Sequence, residues 1–229
     1  MLAQRDRVAA VHGEFIRRVY NWMGLGLALT AAVALYTASN HALLSLIFSN
    51  SLVFFGLIIA ELALVLILSA AIGRMQSSTG VFLFFLYSAL NGLTLSVIFL
   101  AYTRASIANS FFVTAGTFGL MSFYGYTTQR DLTSWGSFLF MGLIGIILAS
   151  LVNIFLRSPM VYWVLTYAGV LIFVGLTAYD TQKLKAMAMA GFADEETERK
   201  TAVLGALTLY LDFINLFLML LRIMGSRRD

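Results

Sequence analysis

The sequence predicts an all-α integral membrane protein, with seven transmembrane helices. Of its 229 residues, 60% are hydrophobic and only 11% are charged, whereas soluble domains carry about 25% charged residues. The mean hydropathy of the chain is +0.88, so too little polar sequence is present to cover a soluble surface. The apolar stretches are continuous, whereas the strands of a membrane β-barrel alternate polar and apolar residues over about ten positions. Helices are therefore the predicted spanning elements.

Seven apolar stretches approach or exceed the roughly 20 residues that a helix needs to cross the hydrocarbon core. They cover residues 20–38, 52–72, 81–102, 106–126, 135–156, 160–180 and 203–222. The first stretch follows a basic segment, but six more follow it, so we interpret it as a retained span and not as a signal peptide. This predicts a tail at 1–19, a single transmembrane domain at 20–222 and a short basic tail at 223–229.

The distribution of lysine and arginine predicts that the amino terminus is cytoplasmic, because positive residues accumulate on that side of a membrane protein. With seven crossings, ten basic residues fall on the amino-terminal side and five on the other. The ten are Arg5, Arg7, Arg17, Arg18, Arg74, Arg130, Lys183, Lys185, Arg199 and Lys200; the five are Arg104, Arg157, Arg222, Arg227 and Arg228. The basic carboxyl tail is discordant, so six crossings with one re-entrant segment remain open.

Composition also excludes several kinds of site. The chain has no cysteine, so it has no disulfide, thiolate metal centre or cysteine nucleophile. His12 and His41 are its only histidines, which argues against a histidine-based metal or catalytic site. The basic residues form no concentrated patch for nucleic acid. The longest connection, 181–202, is strongly charged and predicts a solvated helical hairpin or loop. We expect a protein without enzymatic activity and without a cofactor.

Asp212 lies near the middle of the last apolar stretch, where a carboxylate costs a few kcal/mol on insertion scales. Such residues usually face the protein interior and have a function. Helical spacing places it on one face with four further residues, which are Thr208, Asn215, Met219 and Arg222. The alternative is a structural aspartate that a neighbouring hydroxyl or amide satisfies.

Asp180 ends the sixth apolar stretch. Consecutive spans run in opposite directions, so Asp180 and Asp212 fall in the same half of the membrane. Two carboxylates within hydrogen-bonding reach cannot both ionise at low cost and share a proton, so the pair would act as a proton-operated latch. Arg74 is a candidate partner for the pair, or an ordinary basic anchor. Taken alone, Asp180 would be an interfacial residue that pairs with Lys183 or Lys185.

Glu61 is the third acid within an apolar stretch and lies midway along the second one. It is either protonated within the helix bundle or lines a water-filled path, and we expect the path. Asn91 and Asn215 are expected to contribute to the same ion path. Carboxylate and amide oxygens suit a hard cation such as calcium, so we also expect calcium binding at Asp180 and Asp212.

Two sequence runs carry a resemblance to a known family. The run LTLYLDFINLFLMLLRI at 207–223, after FVGLTAYDTQKLK at 173–185, resembles the Bax inhibitor-1 family, also called the TMBIM family. The likeness covers nearly the whole chain, including the block at 124–155, and is closest to the bacterial branch. It implies six helices packed around a central seventh, the carboxyl-terminal one, in the bacterial inner (plasma) membrane.

The resemblance also implies a function, which is a pH-dependent calcium leak. Asp180 and Asp212 match the di-aspartyl pH sensor of the family, Glu61 matches an acid on the ion path, and Arg74 lies near the position of a latching arginine. The expected partners are the lipid bilayer, calcium ions and protons, with the protein a monomer or weak oligomer.

Three other functions are alternatives to the calcium leak. One is a secondary proton-coupled transporter, although the chain shows neither helix pairs broken by glycine or proline nor a convincing repeat. Some family members regulate a membrane-bound AAA protease or a stress-response partner, and this stays the alternative. An intramembrane aspartyl protease is disfavoured, because such enzymes need a glycine motif before the second aspartate, where this chain has Leu209, Tyr210 and Leu211.

Overall fold

A computed structural model describes the backbone of residues 2–228 and the side chains of residues 13–228, so the side chain of His12 lies outside the described residues. This part of the chain forms nine α-helices, with a 3-10 turn at Ile72–Arg74 after the third. The helices are α1 Leu2–Ser39, α2 His41–Phe48, α3 Ser51–Ala71, α4 Ser77–Leu95, α5 Ile98–Ala101, α6 Arg104–Thr127, α7 Thr133–Leu156, α8 Pro159–Ala190 and α9 Glu195–Met224. The predicted all-α class is confirmed.

Six candidate spans in the described residues are long and apolar enough to cross a membrane. The predicted fourth crossing, 106–126, does form a helix, α6, but α6 is not among the six. Its 24 residues would extend about 36 Å at 1.5 Å per residue, so length is not what excludes it. Hydroxyl and glycine residues lower its hydropathy, and Ser106, Ser110, Thr114 and Ser122 are buried.

The short helix α2 was not predicted and lies between two asparagine caps. The side chain of Asn40 accepts hydrogen bonds from the backbone N–H groups of Ala42 and Leu43. Asn50 caps α3 in the same way. Asparagine is among the best N-cap residues because its side-chain oxygen satisfies N–H groups that the first turn leaves unpaired. Both turns thus leave no backbone donor unpaired at the capped positions.

Helix α8 does not end at Asp180, where its apolar stretch ends. It continues for ten residues to Ala190, since this segment is rich in good helix formers such as Ala, Leu, Met and Lys. Gly191 then ends it with a φ of +78°, a left-handed conformation that glycine adopts without strain. Asp194 accepts a hydrogen bond of 2.7 Å from the backbone N–H of Thr197, which lowers the pKa of Asp194. The 181–202 connection is therefore a helical hairpin.

Both predicted tails are partly ordered by contacts. Residues 2–19, predicted as a tail, are helical, and the ring of Phe15 lies 4.8 Å from that of Phe192, centroid to centroid. At the carboxyl end, the backbone N–H of Arg228 donates to the carbonyl oxygen of Ala101 at 3.0 Å, and its guanidinium donates to that of Phe99.

The described helices divide into two compact units. The first comprises Met1–Tyr102, Met187–Tyr210 and Arg228–Asp229, and the second comprises Thr103–Ala186 and Leu211–Arg227. Helix α9 contributes its first half to one unit and its second half to the other. It is also the most buried of the six candidate spans, with 61% of its apolar window buried against 11–33% in the others.

In the first unit, α4 and the first half of α9 run in the same direction. Ser77 at the start of α4 binds Glu196 at the start of α9. Asn91, fourteen residues further along α4, binds Tyr210. Each pair is separated by 119 residues. A constant offset between contact pairs is the mark of parallel helices.

The second unit has an apolar core that α7, α8 and the second half of α9 build. Leu139, Phe173, Leu176 and Leu216 form a buried cluster, and the ring of Phe213 makes edge contacts with two rings of α6. Large apolar side chains elsewhere stay exposed, as Phe155 does at 86%, which is expected of residues that face lipid.

Candidate functional site

Asp180 and Asp212 lie together in the second unit. Their carboxyl groups, on α8 and α9, are within hydrogen-bonding distance of each other. Asp212 is 4% exposed, and its Oδ2 atom has no hydrogen-bond partner among the described residues. Lys183, one turn further along α8, acts electrostatically on Asp180. A buried acceptor without a partner costs about 1–3 kcal/mol, so this oxygen sets Asp212 apart from the bonded carboxylates of the described chain.

Buried hydroxyl groups flank Asp180 along α8. Thr177 and Thr181 are at most 1% exposed. The Thr177 hydroxyl donates to the carbonyl oxygen of Phe173 in its own helix at 2.7 Å, and that of Thr181 donates to Ser122 at 3.4 Å. The surroundings of the pair therefore combine oxygen atoms with aromatic and aliphatic side chains.

Two glycines allow neighbouring helices to approach this part of α8 closely. A Cβ atom added at Gly125 of α6 would clash with the carbonyl oxygen of Ala178, and one at Gly136 of α7 would clash with the ring of Tyr179. Small residues at helix contacts are typical of membrane proteins, where close packing drives association. These contacts fix the turn of α8 that immediately precedes Asp180.

Glu61 belongs to a second polar cluster, in the first unit. Its Oε1 atom accepts a hydrogen bond of 2.9 Å from the Thr94 hydroxyl, and its Oε2 atom accepts one of 3.3 Å from the Asn91 amide. Glu61 and Asn91, both assigned to the ion path from the sequence, are therefore in contact, and the path itself stays a prediction. Glu61 is half-buried, so this carboxylate remains accessible from one side.

Tyr210 extends this cluster and was not predicted as a functional residue. Its hydroxyl donates to Asn91 Oδ1 at 3.1 Å and lies 2.6 Å from the hydroxyl of Thr30. The Thr30 hydroxyl is also 2.8 Å from the carbonyl oxygen of Ser88. The result is a continuous hydrogen-bonded chain from Glu61 on α3 through α4 and α9 to α1. A tyrosine in an apolar stretch is usually a core residue, so the only sequence signal for a role of Tyr210 is its central position in α9.

The remaining predicted site residues occupy separate positions. The side chain of Asn215 is half-buried and donates to the carbonyl oxygen of Leu211 in its own helix at 2.8 Å. Arg74 is exposed and lines an open cavity at the start of α4. Its contact with the aspartate pair stays a prediction. No group of three or more acidic or histidine side chains able to hold a metal occurs in the described part of the chain, so calcium at Asp180 and Asp212 would need hydroxyl or carbonyl oxygens as further ligands.

The fold and these clusters define an all-helical membrane protein with buried carboxyl groups in two places. The chain belongs to the Bax inhibitor-1 family, since residues 12–229 match the family model described as "Inhibitor of apoptosis-promoting Bax1". This confirms the resemblance seen in the sequence.

Similar proteins come from several bacteria. The inner membrane protein YbhL of Escherichia coli K12 is 60% identical over 215 residues, which cover 93% of this chain and 92% of the relative. An uncharacterized protein of Borreliella burgdorferi is 47% identical over 228 residues, 100% of this chain and 98% of the relative. The uncharacterized protein RP147 of Rickettsia prowazekii is 47% identical over 219 residues, 94% of this chain and 91% of the relative. The match extends over whole chains.

Proposed function

We propose that the chain is a pH-sensitive calcium leak channel of the bacterial inner membrane, in which Asp180 and Asp212 form the proton sensor. The observation that carries the proposal is the contact between these two carboxyl groups, one of which keeps a buried oxygen without a partner. Adding or removing a proton changes the charge of such a pair in a low-dielectric site, where electrostatic effects are largest. A packing role alone would not require two acids.

The pair is well placed to transmit a change in protonation to helix packing. Asp212 lies one turn from Leu216, which belongs to the buried cluster of the second unit, and next to Phe213, whose ring packs against α6. When the pair holds a proton, the two carboxyl groups bond and α8 and α9 stay together. When the shared proton is lost, repulsion between two carboxylates separates the helices.

Calcium is the proposed cargo because the polar atoms along the route that we assign are mostly oxygens. Glu61 contributes a carboxylate and Asn91 an amide, and hard cations take such ligands. We also propose Asn215 as a ligand on this route, and Arg74 as the residue that latches the aspartate pair in the closed state.

We further propose seven crossings, with the last helix at the centre. The parallel direction of α4 and α9 supports this number, because an odd number of crossings must then separate them, and α6, α7 and α8 supply three. The high burial of α9 supports its central position. With seven crossings, the excess of basic residues places the amino terminus in the cytoplasm.

Calcium flux against pH tests the proposal. The full chain is reconstituted in liposomes that contain a calcium dye, beside Asp180→Asn, Asp212→Asn and Arg74→Gln variants. We expect flux from the wild type to change with pH, and flux from either aspartate variant to be independent of pH. The matched control is Asp131→Asn, which removes an exposed carboxylate from a loop of the same unit and should behave as the wild type.

Two outcomes would contradict the proposal. Flux that equals that of empty liposomes at every pH would reject the channel and favour the regulator of a membrane protease. Flux that keeps its pH dependence in Asp212→Asn would reject the sensor while leaving a channel. Unchanged pH dependence in Arg74→Gln would contradict only the proposed role of Arg74 as the latch.

A further inference from the structure

A cavity of about 650 Å³ lies where three spanning helices of the first unit begin or end. The second candidate span ends at Arg74, the third begins at Ser77 and the last helix begins at Glu195. The lining of the cavity includes Arg74, Ser77, Glu196, Arg199 and Lys200. The apolar stretches of the second and third spans end and begin beside this cavity, and the ends of such stretches lie near the depth of the lipid headgroups.

Positive charge predominates in the cavity. Three of its side chains are basic and one is acidic. The acidic one, Glu196, already accepts two hydrogen bonds from Ser77, of 2.6 Å to the backbone N–H and 2.7 Å to the hydroxyl. Lys200 lies 3.7 Å from the same carboxylate. Glu196 is thereby bound by Ser77 and Lys200, and the two arginines of the cavity remain available to an anion.

The two arginines of the cavity are open to a ligand. Arg74 takes part in none of the ion pairs found among residues 13–228. Arg199 pairs with Glu195 at 2.6 Å, but both side chains are at least half exposed, and such surface pairs are worth little. A guanidinium forms two parallel hydrogen bonds with a phosphate group, which makes arginine the preferred phosphate ligand.

A second cavity of about 420 Å³ adjoins the first and shares Ser77, Ser78 and Arg199 with it. It adds Arg18 and Trp22 to the lining. Tryptophan is enriched at the level where headgroups meet acyl chains, and its presence beside the basic groups fits a ligand with a polar head and an apolar tail. A free phosphate ion has no apolar part that could contact Trp22.

We propose that these cavities bind the phosphate group of an anionic phospholipid, with Arg74 and Arg199 as its ligands. Basic pockets between spanning helices recognise anionic headgroups in this way. The site shares Arg74 with the latch proposed for the closed state of the leak, whereas Arg199 has no part in that latch. Lipid binding through Arg199 therefore tests this site without touching the aspartate sensor.

Native mass spectrometry of the purified full chain in detergent tests the site. The protein is titrated with phosphatidylglycerol and, in parallel, with phosphatidylcholine, whose headgroup has no net charge. We expect tighter binding of phosphatidylglycerol, and a loss of about tenfold or more in Arg74→Gln/Arg199→Gln. Arg199→Gln alone should lose part of the affinity. The matched control, Arg104→Gln/Arg130→Gln, removes two exposed arginines from the second unit and should bind as the wild type does.

Several outcomes would overturn the proposal. Equal affinity for the two lipids would show that charge does not select the ligand, and equal losses in the cavity and control variants would show that net charge alone matters. Displacement of the lipid by millimolar inorganic phosphate would identify a soluble anion as the ligand. Thermal unfolding checks that the variants are folded, and Arg74→Lys/Arg199→Lys, which keeps both charges, should retain more affinity than the glutamine variant.

Discussion

The Glu61 cluster, whose carboxylate is half-buried, and the buried aspartate pair differ in how completely their atoms are bonded. In the Glu61 cluster, both carboxylate oxygens accept hydrogen bonds, and the chain continues through Asn91 and Tyr210 to Thr30. In the aspartate pair, the Oδ2 atom of Asp212 has no partner within the described part of the chain.

This difference indicates different roles. A fully satisfied buried network specifies one arrangement of its helices, because every alternative breaks hydrogen bonds in a low-dielectric interior. A partly satisfied pair has less to lose on rearrangement. The first site therefore holds helices α1, α3, α4 and α9 together, and the second is the site to which we assign the proposed proton sensor.

The largest effect is expected from Gly125→Ala, which attacks the packing that supports the pair. The new methyl group would meet the carbonyl oxygen of Ala178, with the Cα atom of that residue only 2.9 Å away. Backbone cannot give way as a side chain can, so overpacking should lower the free energy of unfolding by about 1–3 kcal/mol. Unfolding in mixed micelles measures it.

Gly116→Ala is the matched control, since Gly116 lies in the same helix with nothing within 4 Å of an added Cβ atom. There the substitution should be neutral or stabilise the helix by up to about 1 kcal/mol. Equal effects of the two substitutions would show that close contact with α8 is unimportant.

A smaller effect is expected from Tyr210→Phe, which breaks the satisfied network at its centre. The substitution keeps the ring contacts with Phe84 and Tyr87 but removes the hydroxyl that donates a hydrogen bond to Asn91. We expect a loss of about 1–2 kcal/mol in the free energy of unfolding. Tyr167→Phe, at a tyrosine that is 54% exposed, should change it little. If both variants unfold like the wild type, the network does not stabilise the helices.

The smallest effect on stability is expected from Asp212→Asn. This substitution best separates the roles assigned to the two sites. Asparagine keeps the shape of the side chain and can still bond to Asp180, while the cost of a second buried carboxylate disappears. The free energy of unfolding should stay within about 1 kcal/mol of the wild type or rise. A loss larger than that of Tyr210→Phe would reverse the assignment of the two roles.

Much of the fold could be predicted from hydropathy, and the site residues from acids placed in apolar stretches. Asp180, Asp212 and Glu61 stand out because a carboxylate in a spanning helix is costly. Their order along antiparallel spans predicts that the two aspartates fall in the same half of the membrane. For 181–202 the sequence left a helical hairpin and a loop open, because hydropathy marks the end of an apolar stretch and not the end of a helix.

Contacts between distant residues could not be predicted in the same way. Glu196 appeared to be one of several solvated acids, and its bond to Ser77 joins positions 119 residues apart. The role of Tyr210 depends on where its hydroxyl points, which periodicity does not reveal. The predicted crossing at 106–126 forms helix α6, but its serines and threonines lower its hydropathy, so it is not among the six candidate spans of the described residues.

The bonded carboxyl tail has a practical consequence for handling the protein. The backbone N–H of Thr103 donates to the carbonyl oxygen of Ser226 at 3.2 Å, and Arg228 donates to two carbonyl oxygens at the end of α5. An affinity tag or fluorescent fusion joined directly to the last residue would pull on these bonds. A flexible glycine–serine spacer before the fusion would leave these hydrogen bonds intact during purification and imaging.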